Sequence, residues 1–320
     1  MHELTITRHN PMIDPTLHIW GWEIPVYLFL GGMVAGIMVI IGYFHFSGRY
    51  QESRLCSCSR TPLIGLGLLT LGMLALFLDL EHKLFVWRLY TTFKIASPMS
   101  WGAWILILVY PALCAAFLIS PPSWVNRFSS VEYISQKIRG SAVAVRIIGL
   151  VNMLLGATLG MYTGILLSAL GARPLWSSAL LWMLFLVSGM SSAAAFVHMI
   201  ASDARERELL AKADNGFLIL EIFIIAFFLI GLLSSTEVHM QAAALLLGGP
   251  FAPVFWVFVI SLGIIIPLII QLLAVNHKVR HTPVAPILVI AGGLLLRFVI
   301  VAAGQYSHWA SAQADKLLQF

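Results

Sequence analysis

Residues 23–45 read EIPVYLFLGGMVAGIMVIIGYFH, and this stretch decides the fold class. Glu23 and His45 stand at its two ends, and no residue between them carries a formal charge near neutral pH. A run of about 20 such residues has the length that an α-helix needs to cross the hydrocarbon core of a bilayer. The stretch therefore predicts a transmembrane helix.

The composition extends this prediction to the whole chain. Of its 320 residues, 60% are hydrophobic and 10% are charged, whereas a soluble domain carries about 25% charged residues. Such a chain lacks the polar surface that a soluble protein exposes to water. The first residues, MHELTITRHNPMIDP, contain no basic stretch followed by a short apolar core and a small-residue cleavage site. We therefore expect a first span rather than a removed signal peptide.

Apolar runs separated by polar breaks predict eight spans. They cover residues 23–45, 61–80, 100–119, 143–169, 176–199, 216–234, 251–275 and 283–305. The breaks contain turn and terminator residues such as Ser47-Gly48, Asp214 to Gly216 and Gly248 to Pro250, and none is long enough for a separate domain. The sequence predicts an all-α integral membrane protein of two four-helix bundles, with residues 1–320 forming a single polytopic membrane domain.

Lysines and arginines are distributed unevenly between the two ends of these spans. Twelve lie in the breaks 46–60, 120–146, 201–215 and 276–282, and six lie in the other breaks and the tails. Because basic residues stay preferentially on the cytoplasmic side, this ratio predicts that both termini face outward, to the periplasm in a Gram-negative bacterium. The net charge of +5 indicates topology and contact with anionic membrane lipid, and we expect no nucleic-acid partner.

Polar side chains from four spans are expected at one depth of the bundle. Span 1 begins at Glu23 and carries Tyr27 one turn deeper, and span 2 ends near Asp79. At about 1.5 Å per residue, Tyr162 lies about 30 Å along span 4 and Arg297 about 22 Å along span 8. Alternating span directions bring all five groups toward the outer face. Because ionisable groups inside a membrane are costly, this layer is a candidate functional site.

The layer suits the head group of a quinone. Each quinone carbonyl needs a hydrogen-bond donor or acceptor, and a nearby carboxylate accepts a proton. Glu23 and Asp79 would then be catalytic, and with Tyr27, Tyr162 and Arg297 they would bind the quinone. Structural alternatives stay open for each group: solvated helix ends for the carboxylates, an interfacial aromatic belt for the tyrosines, and a structural ion pair for the arginine.

A second set of polar residues lies farther inward. Glu221 of span 6 and Arg146 of span 4 are expected at similar depths, where the two side chains would pair. Between those levels lie Asn152, Ser188, Ser191, Ser192 and His198. These residues indicate either a proton path or helix capping and packing.

No haem or metal site is predicted in this chain. Haem in a helical bundle needs axial ligands, most often histidines that project inward from the spans. All ten histidines fall in a tail, in a break or near a predicted helix end. The three cysteines are too few for an iron–sulfur or zinc site, and we expect Cys56 and Cys58 to be ordinary thiols.

Motifs spread along the chain form a recognisable series. They are Trp22-Glu-Ile-Pro-Val-Tyr27 on span 1, Leu78-Asp-Leu80 leading through Phe85-Val-Trp-Arg-Leu89 to Ser97-Pro-Met-Ser-Trp-Gly-Ala-Trp104, Tyr162-Thr-Gly164 on span 4, and Gly292-Gly-Leu-Leu-Leu-Arg297 on span 8. In this order they resemble the motifs of the NrfD/polysulfide-reductase membrane-subunit family. The matches run from span 1 to span 8 and cover most of the chain.

The resemblance implies a haem-free, quinone-reactive subunit of a respiratory complex in the bacterial inner membrane. In such complexes electrons pass between menaquinone or ubiquinone and a ferredoxin-like iron–sulfur subunit. That subunit connects to a molybdopterin or multihaem catalytic subunit, so the membrane chain does not act on the terminal substrate by itself. The family's quinone pocket draws on spans 1, 2 and 4, which matches Glu23, Tyr27, Asp79 and Tyr162 here.

Two features depart from the family's pattern. Members often have Gly-Arg-Pro after the aspartate of span 2, where this chain has Glu81-His82-Lys83, so we expect different partner contacts in that loop. Some members carry histidine at the position of Tyr27, which would alter the contact to the head group. Two other functions stay open on the residues alone: a secondary transporter with charged groups along an ion path, and a passive membrane anchor without quinone chemistry.

Overall fold

The computed structural model describes residues 20–49, 59–80, 82–95, 97–122, 125, 129–169, 173–275 and 282–307. Eight helices are long and apolar enough to cross a membrane: α1 (Glu23–Phe46), α2 (Thr61–Asp79), α4 (Pro98–Ile119), α6 (Ala142–Ser168), α7 (Leu181–Ile200), α8 (Ala204–Leu233), α10 (Val254–Val275) and α11 (Val284–Tyr306). Three shorter helices connect them: α3 (Trp87–Thr91), α5 (Ser129–Arg139) and α9 (Glu237–Leu247). The described residues contain no strand. The prediction of an all-α membrane protein with eight spans is confirmed.

The start of α7 differs from the predicted span. The helix begins at Leu181 rather than at residue 176, because Pro174–Trp176 forms a separate 3-10 turn. This turn is fixed by its tryptophan: the Trp176 Nε1 donates a hydrogen bond of 3.0 Å to the carbonyl oxygen of Ile300 on α11. The Trp176 ring also stacks on Trp20, with the ring centroids 5.1 Å apart. The apolar run thus begins before the helix does, and the span predicted from this run starts too early.

The start of α8 differs more. The break predicted from Asp214 to Gly216 is wrong, because α8 continues through it from Ala204. The Asp203 side chain caps this start by accepting a hydrogen bond of 3.3 Å from the Arg205 backbone N–H, as capping residues commonly do. Asp214 is 0% exposed, so its charge marks a buried polar position and not a turn in water.

Helix α1 lies at the centre of the bundle. It packs against α2 and α6 on one side and against α7 and α11 on the other. Helices α2 and α4 pack on the side of α1 and α6, and α8 and α10 pack on the side of α7 and α11, but α7 contacts both α1 and α6, so the division into two four-helix bundles stays a prediction. The crossing of α1 with α7 requires glycine, since a Cβ at Gly189 would lie 2.6 Å from the Gly32 carbonyl oxygen. Such small residues let membrane helices approach closely.

The alternating helix directions define two faces of the molecule. Because α1 begins at Glu23, we name the end of the bundle where it begins the Glu23 face. Helices α4, α7 and α10 also begin there, and α2, α6, α8 and α11 end there. The other end is the opposite face. Helix α10 starts as a π-helix, Val254–Ile265, and continues as an α-helix, Ile266–Val275, which carries Gln271 toward α8.

Candidate functional site

Two carboxylates stand at the Glu23 face. Glu23 opens α1, and Asp79 is the last residue of α2, so the packing of these two helices brings the side chains to the same end. The two charges interact electrostatically. Both residues are half-buried, so each carboxylate remains accessible to water and can exchange a proton with it.

A buried pair of tyrosines lies behind the carboxylates. Tyr27 of α1 is 2% exposed, and Tyr162 of α6 is 5% exposed. Their hydroxyl groups lie close to each other and interact. Tyrosines of an interfacial belt keep their polar end among the lipid head groups, whereas these two side chains lie between helices. The pair therefore places two phenol groups inside the bundle.

Gly102 of α4 determines where the Tyr162 ring lies. A Cβ atom at Gly102 would overlap the Cζ and the hydroxyl oxygen of the Tyr162 ring. The ring therefore occupies the space that any side chain at residue 102 would need. The sequence placed Gly102 in a family motif but gave no sign of this contact, which depends on how α4 and α6 are rotated against each other.

Tyr90 of α3 is a member of the site that the sequence did not reveal. It lies in the connection between α2 and α4 and interacts electrostatically with both Tyr27 and Tyr162. Burial raises the pKa of the Tyr90 phenol, and Tyr110 raises it further, so the hydroxyl stays protonated at physiological pH. The available signal was its position directly after the motif that ends at Leu89.

Arg297 belongs to a different cluster. It is 0% exposed, and its guanidinium donates hydrogen bonds to Ser188 Oγ and to the carbonyl oxygens of Gly293 and Phe185, the latter two at 3.0 and 2.9 Å. Glu221 interacts with it electrostatically. These partners lie on α7, α8 and α11, deeper than the tyrosine pair. A direct contact of Arg297 with a quinone therefore stays a prediction.

The predicted pairing of Glu221 with Arg146 is not formed. Glu221 is buried and interacts with Ser188, Arg297 and Asp214, whereas Arg146 is exposed near the start of α6. Similar depth along two helices does not bring side chains together when the side chains point in different directions. The buried carboxylate instead interacts electrostatically with Arg297 of α11, without forming an ion pair within 4 Å among the described residues.

Asp214 and Asn152 show two uses of polar groups inside the bundle. The Asp214 carboxylate accepts hydrogen bonds from Ser191 Oγ at 2.6 Å and from Gln271 Nε2 at 2.7 Å. It thereby joins α8 to α7 and α10. The Asn152 amide of α6 donates to the Ala112 carbonyl oxygen of α4 at 3.0 Å. Helix packing, which was one of the two expectations for Asn152, explains this contact.

The phenols and carboxylates of the described residues are not arranged as a metal site. Within these ranges, no three His, Cys, Asp or Glu side chains come together so that they could hold a metal ion. Cys114 is an exposed free thiol. Cys56 and Cys58, and Glu81 of the connection after α2, lie outside the described residues.

The fold and these two clusters define a polytopic helical membrane protein with polar groups gathered at one face and in the interior. The model of the family "Polysulphide reductase, NrfD" matches residues 9–307. The chain belongs to this family, as its motifs predicted.

Curated relatives match over nearly their whole lengths. Protein NrfD of Escherichia coli (strain K12) is 31% identical over 313 residues, which cover 90% of this chain and 95% of that protein. Protein NrfD homolog of Haemophilus influenzae is 30% identical over 328 residues, with coverages of 94% and 99%. The C chain of the polysulfide reductase of Wolinella succinogenes is 26% identical over 301 residues, with coverages of 90% and 94%. The protein is therefore a multi-pass membrane subunit of an oxidoreductase complex.

Proposed function

We propose that this subunit exchanges electrons between menaquinone or ubiquinone and an iron–sulfur partner. One observation carries the proposal: the Tyr27–Tyr162 phenol pair lies buried at the end of the bundle that carries the half-buried carboxylates of Glu23 and Asp79, with Tyr27 one turn of α1 beyond Glu23. Phenols donate and accept hydrogen bonds, and carboxylates at the edge of a site transfer protons to water. A bound quinol supplies two electrons and two protons, so its site needs both kinds of group.

In this proposal each side chain has a distinct task. Tyr27 and Tyr162 position the head group through their hydroxyl groups, and Tyr90 contributes a third phenol from the connection after α2. Glu23 or Asp79 acts as the general base and passes the proton to water, to which both carboxylates have access. Arg297 stays a predicted contact to the head group from a deeper level, where its guanidinium also donates hydrogen bonds to Ser188 and two carbonyl oxygens.

The surface beside this site supports a protein partner at the Glu23 face. The connection between α2 and α4 exposes the large apolar side chains of Leu84, Phe85, Trp87, Phe93 and Ile95. Exposed apolar patches of this kind mark contacts with proteins or membranes. We assign the patch to a ferredoxin-like iron–sulfur subunit, which would connect to a molybdopterin or multihaem catalytic subunit. The Wolinella succinogenes relative is likewise named as one lettered chain of a polysulfide reductase.

The charge distribution supports an orientation for this assembly. Of the lysines and arginines that the structure describes outside the bundle interior, eight lie toward the opposite face and four toward the Glu23 face: Arg49, Arg60, Lys137, Arg139, Arg146, Arg205, Arg207 and Lys212 against Lys83, Arg88, Lys94 and Arg173. By the positive-inside rule the Glu23 face is periplasmic. The proposal thus places the protein in a bacterial inner membrane with both termini and the iron–sulfur partner outward, and protons from quinol would be released on that side.

A double variant, Glu23→Gln with Asp79→Asn, tests the carboxylates in the intact complex in lipid nanodiscs. Removal of a general base lowers a rate by about 10²–10⁴-fold, so we expect quinol turnover to fall by at least about 100-fold. The matched control is Glu237→Gln, which removes an exposed carboxylate at the same face and should leave turnover unchanged. Full turnover in the double variant would contradict the assignment.

Two further measurements separate the proposal from its alternatives. Titration of the purified complex with a quinone analogue should show saturable binding that Tyr27→Phe weakens, whereas a passive anchor would show none. Purification under mild detergent should bring down a subunit with iron–sulfur absorbance. A protein that moves ions across proteoliposomes by itself and copurifies with no redox subunit would be a secondary transporter.

A further inference from the structure

Asp214 is a carboxylate deep inside the bundle with no cation beside it among the described residues. The side chain is 0% exposed. Both of its oxygens accept hydrogen bonds from neutral groups, one from the Ser191 hydroxyl at 2.6 Å and one from the Gln271 amide at 2.7 Å. Neutral donors offset part of the desolvation of a carboxylate but do not cancel its charge.

The helices packed against α8 bring few charges toward Asp214. Helix α8 packs against α7, α9 and α10. The titratable groups on these neighbours are His198 of α7, near the opposite face, and Glu237 and His239 of α9, at the Glu23 face. Helix α10 has no titratable side chain. On α8 itself, Glu206 lies buried near the opposite face, while Lys212 forms an exposed ion pair with Glu208 at 2.6 Å.

The ionised group that interacts with Asp214 is a second carboxylate. Glu221 lies seven residues farther along α8 and interacts electrostatically with Asp214. It also interacts with Arg297, the buried cation of this cluster, and the Ser188 hydroxyl contacts both of them. The cluster therefore contains two carboxylates and one guanidinium.

This count leaves one negative charge in excess when every group is ionised. An uncompensated charge in the interior of a membrane protein is strongly unfavourable. One bound proton removes the excess. The buried cation Arg297 interacts electrostatically with Glu221, whereas Asp214 has only the neutral donors Ser191 and Gln271 beside it, so we assign the proton to Asp214. A metal ion fits less well, since among the described residues no three His, Cys, Asp or Glu side chains come together that could hold one.

The Gln271 amide can accept a hydrogen bond from the protonated Asp214 carboxyl group. Its side chain is 2% exposed, and its Oε1 has no hydrogen-bond partner among the described residues. The two ends of a glutamine amide have nearly the same shape, so the amide can be turned without moving other atoms. In the turned orientation Oε1 faces Asp214 and accepts a hydrogen bond from its protonated carboxyl group. The amide thus donates to Asp214 when the carboxylate is ionised and accepts from it when the carboxyl group is protonated, and in the turned orientation Nε2 takes the position that Oε1 leaves.

We propose that Asp214 is a proton-binding site inside the membrane, with Gln271 as the amide that adapts to both of its protonation states. The proton comes from water at the opposite face, where α7 ends and α8 begins, about 15 Å away by helical rise. Binding converts the carboxylate to the acid and moves no electron. The site is separate from the quinone site at the Glu23 face, so it gives this subunit a second place to exchange protons.

Infrared difference spectroscopy of the intact complex in nanodiscs tests the proposal without quinol. A buried protonated carboxyl group gives a carbonyl stretch that shifts in heavy water and is distinct from the bands of a carboxylate. We expect this band in the wild-type complex at neutral pH and expect its loss in Asp214→Asn. Asparagine keeps the shape and hydrogen bonds of the protonated side chain, so the variant should melt like the wild type. Glu237→Gln, the exposed control, should keep the band.

Two further variants assign the proton to one carboxylate. Gln271→Met removes the amide acceptor and should shift the band to higher frequency, whereas Ser188→Ala should leave it in place. A band that persists in Asp214→Asn would overturn the proposal. A band that Ser188→Ala shifts and Gln271→Met does not would place the proton on Glu221 and would also overturn it. Each outcome is independent of quinone binding, because no quinone enters the measurement.

Discussion

The two polar clusters of this protein hold charge in different ways. At the Glu23 face, the carboxylates of Glu23 and Asp79 remain half-exposed, and the buried members of that cluster are neutral phenols. In the interior, Arg297 and the carboxylates around it are buried. Other protein groups must therefore supply the hydrogen bonds and opposite charges that water supplies to an exposed side chain. The first cluster can therefore lose a polar group with little loss of stability, whereas the second cannot. Substitutions in the two clusters should separate activity from stability.

The largest effect is expected in the interior cluster. Arg297→Leu removes the buried cation that interacts electrostatically with Glu221 and donates hydrogen bonds to Ser188 and two carbonyl oxygens. Loss of the charge that compensates a buried carboxylate costs about 3–5 kcal/mol. The free energy of unfolding of the complex in lipid, followed by tryptophan fluorescence, should fall by that amount.

A second substitution distinguishes the charge from the packing of the arginine. Arg297→Leu combined with Glu221→Gln removes both charges and should recover more than half of the lost stability. If the single and double variants were equally unstable, the interaction of Arg297 with Glu221 would not be the cause of the lost stability. The interior cluster would then not differ from the Glu23 face in its need for a compensated charge.

An intermediate effect, on activity rather than stability, is expected at the Glu23 face. Gly102→Ala places a methyl group where the Tyr162 ring lies and pushes its hydroxyl away from Tyr27. A misplacement of about 1 Å costs about 100-fold in rate, so quinol turnover should fall by that order. The matched control is Gly67→Ala on α2, since nothing lies within 4 Å of a Cβ at that position. Equal turnover in both variants would show that quinol turnover does not depend on the position of the Tyr162 hydroxyl beside Tyr27.

The smallest effect is expected at Trp176, which lies at the Glu23 face outside the proposed site. Trp176→Phe keeps the ring contact with Trp20 but loses the hydrogen bond to the Ile300 carbonyl oxygen. A lost hydrogen bond of this kind costs about 1 kcal/mol, with quinol turnover unchanged. Trp256→Phe provides the control, because that ring is exposed on the outside of the bundle. A fall in turnover without a fall in stability would extend the functional site to Trp176.

The sequence predicted those features that depend on local composition. Eight spans follow from runs of apolar residues, because the hydrocarbon thickness sets a length that any such run must match. The placement of Glu23 and Asp79 at one face also follows from the sequence. Consecutive spans run in opposite directions, so the start of span 1 and the end of span 2 lie at the same face. Tyr27 and Tyr162 followed from their depths along spans 1 and 4 and from the family motifs, and the structure buries both side chains inside the bundle.

The remaining features depend on helix rotation and on irregular connections. The sequence predicts a turn at Asp214, where the structure has a continuous helix. A hydropathy pattern does not distinguish an acidic residue in water from one that is buried and hydrogen-bonded. The contact of Gly102 with Tyr162 depends on how two helices face each other. Tyr90 lies in a connection without a periodic pattern, so no span prediction could bring it to the site.

The central position of α1 has a consequence for biogenesis. Trp20 and Gln305 exchange two hydrogen bonds, of 3.1 and 3.0 Å, although 285 residues separate them. Helix α1 is the first span to leave the ribosome, yet α11 covers one side of it only after the last span has been made. During insertion the side of α1 where Gly32 later lies beside Arg297 must therefore wait in lipid or against an insertion factor. Polypeptides that stop before α11 should remain unfinished at their core and become substrates for membrane proteases.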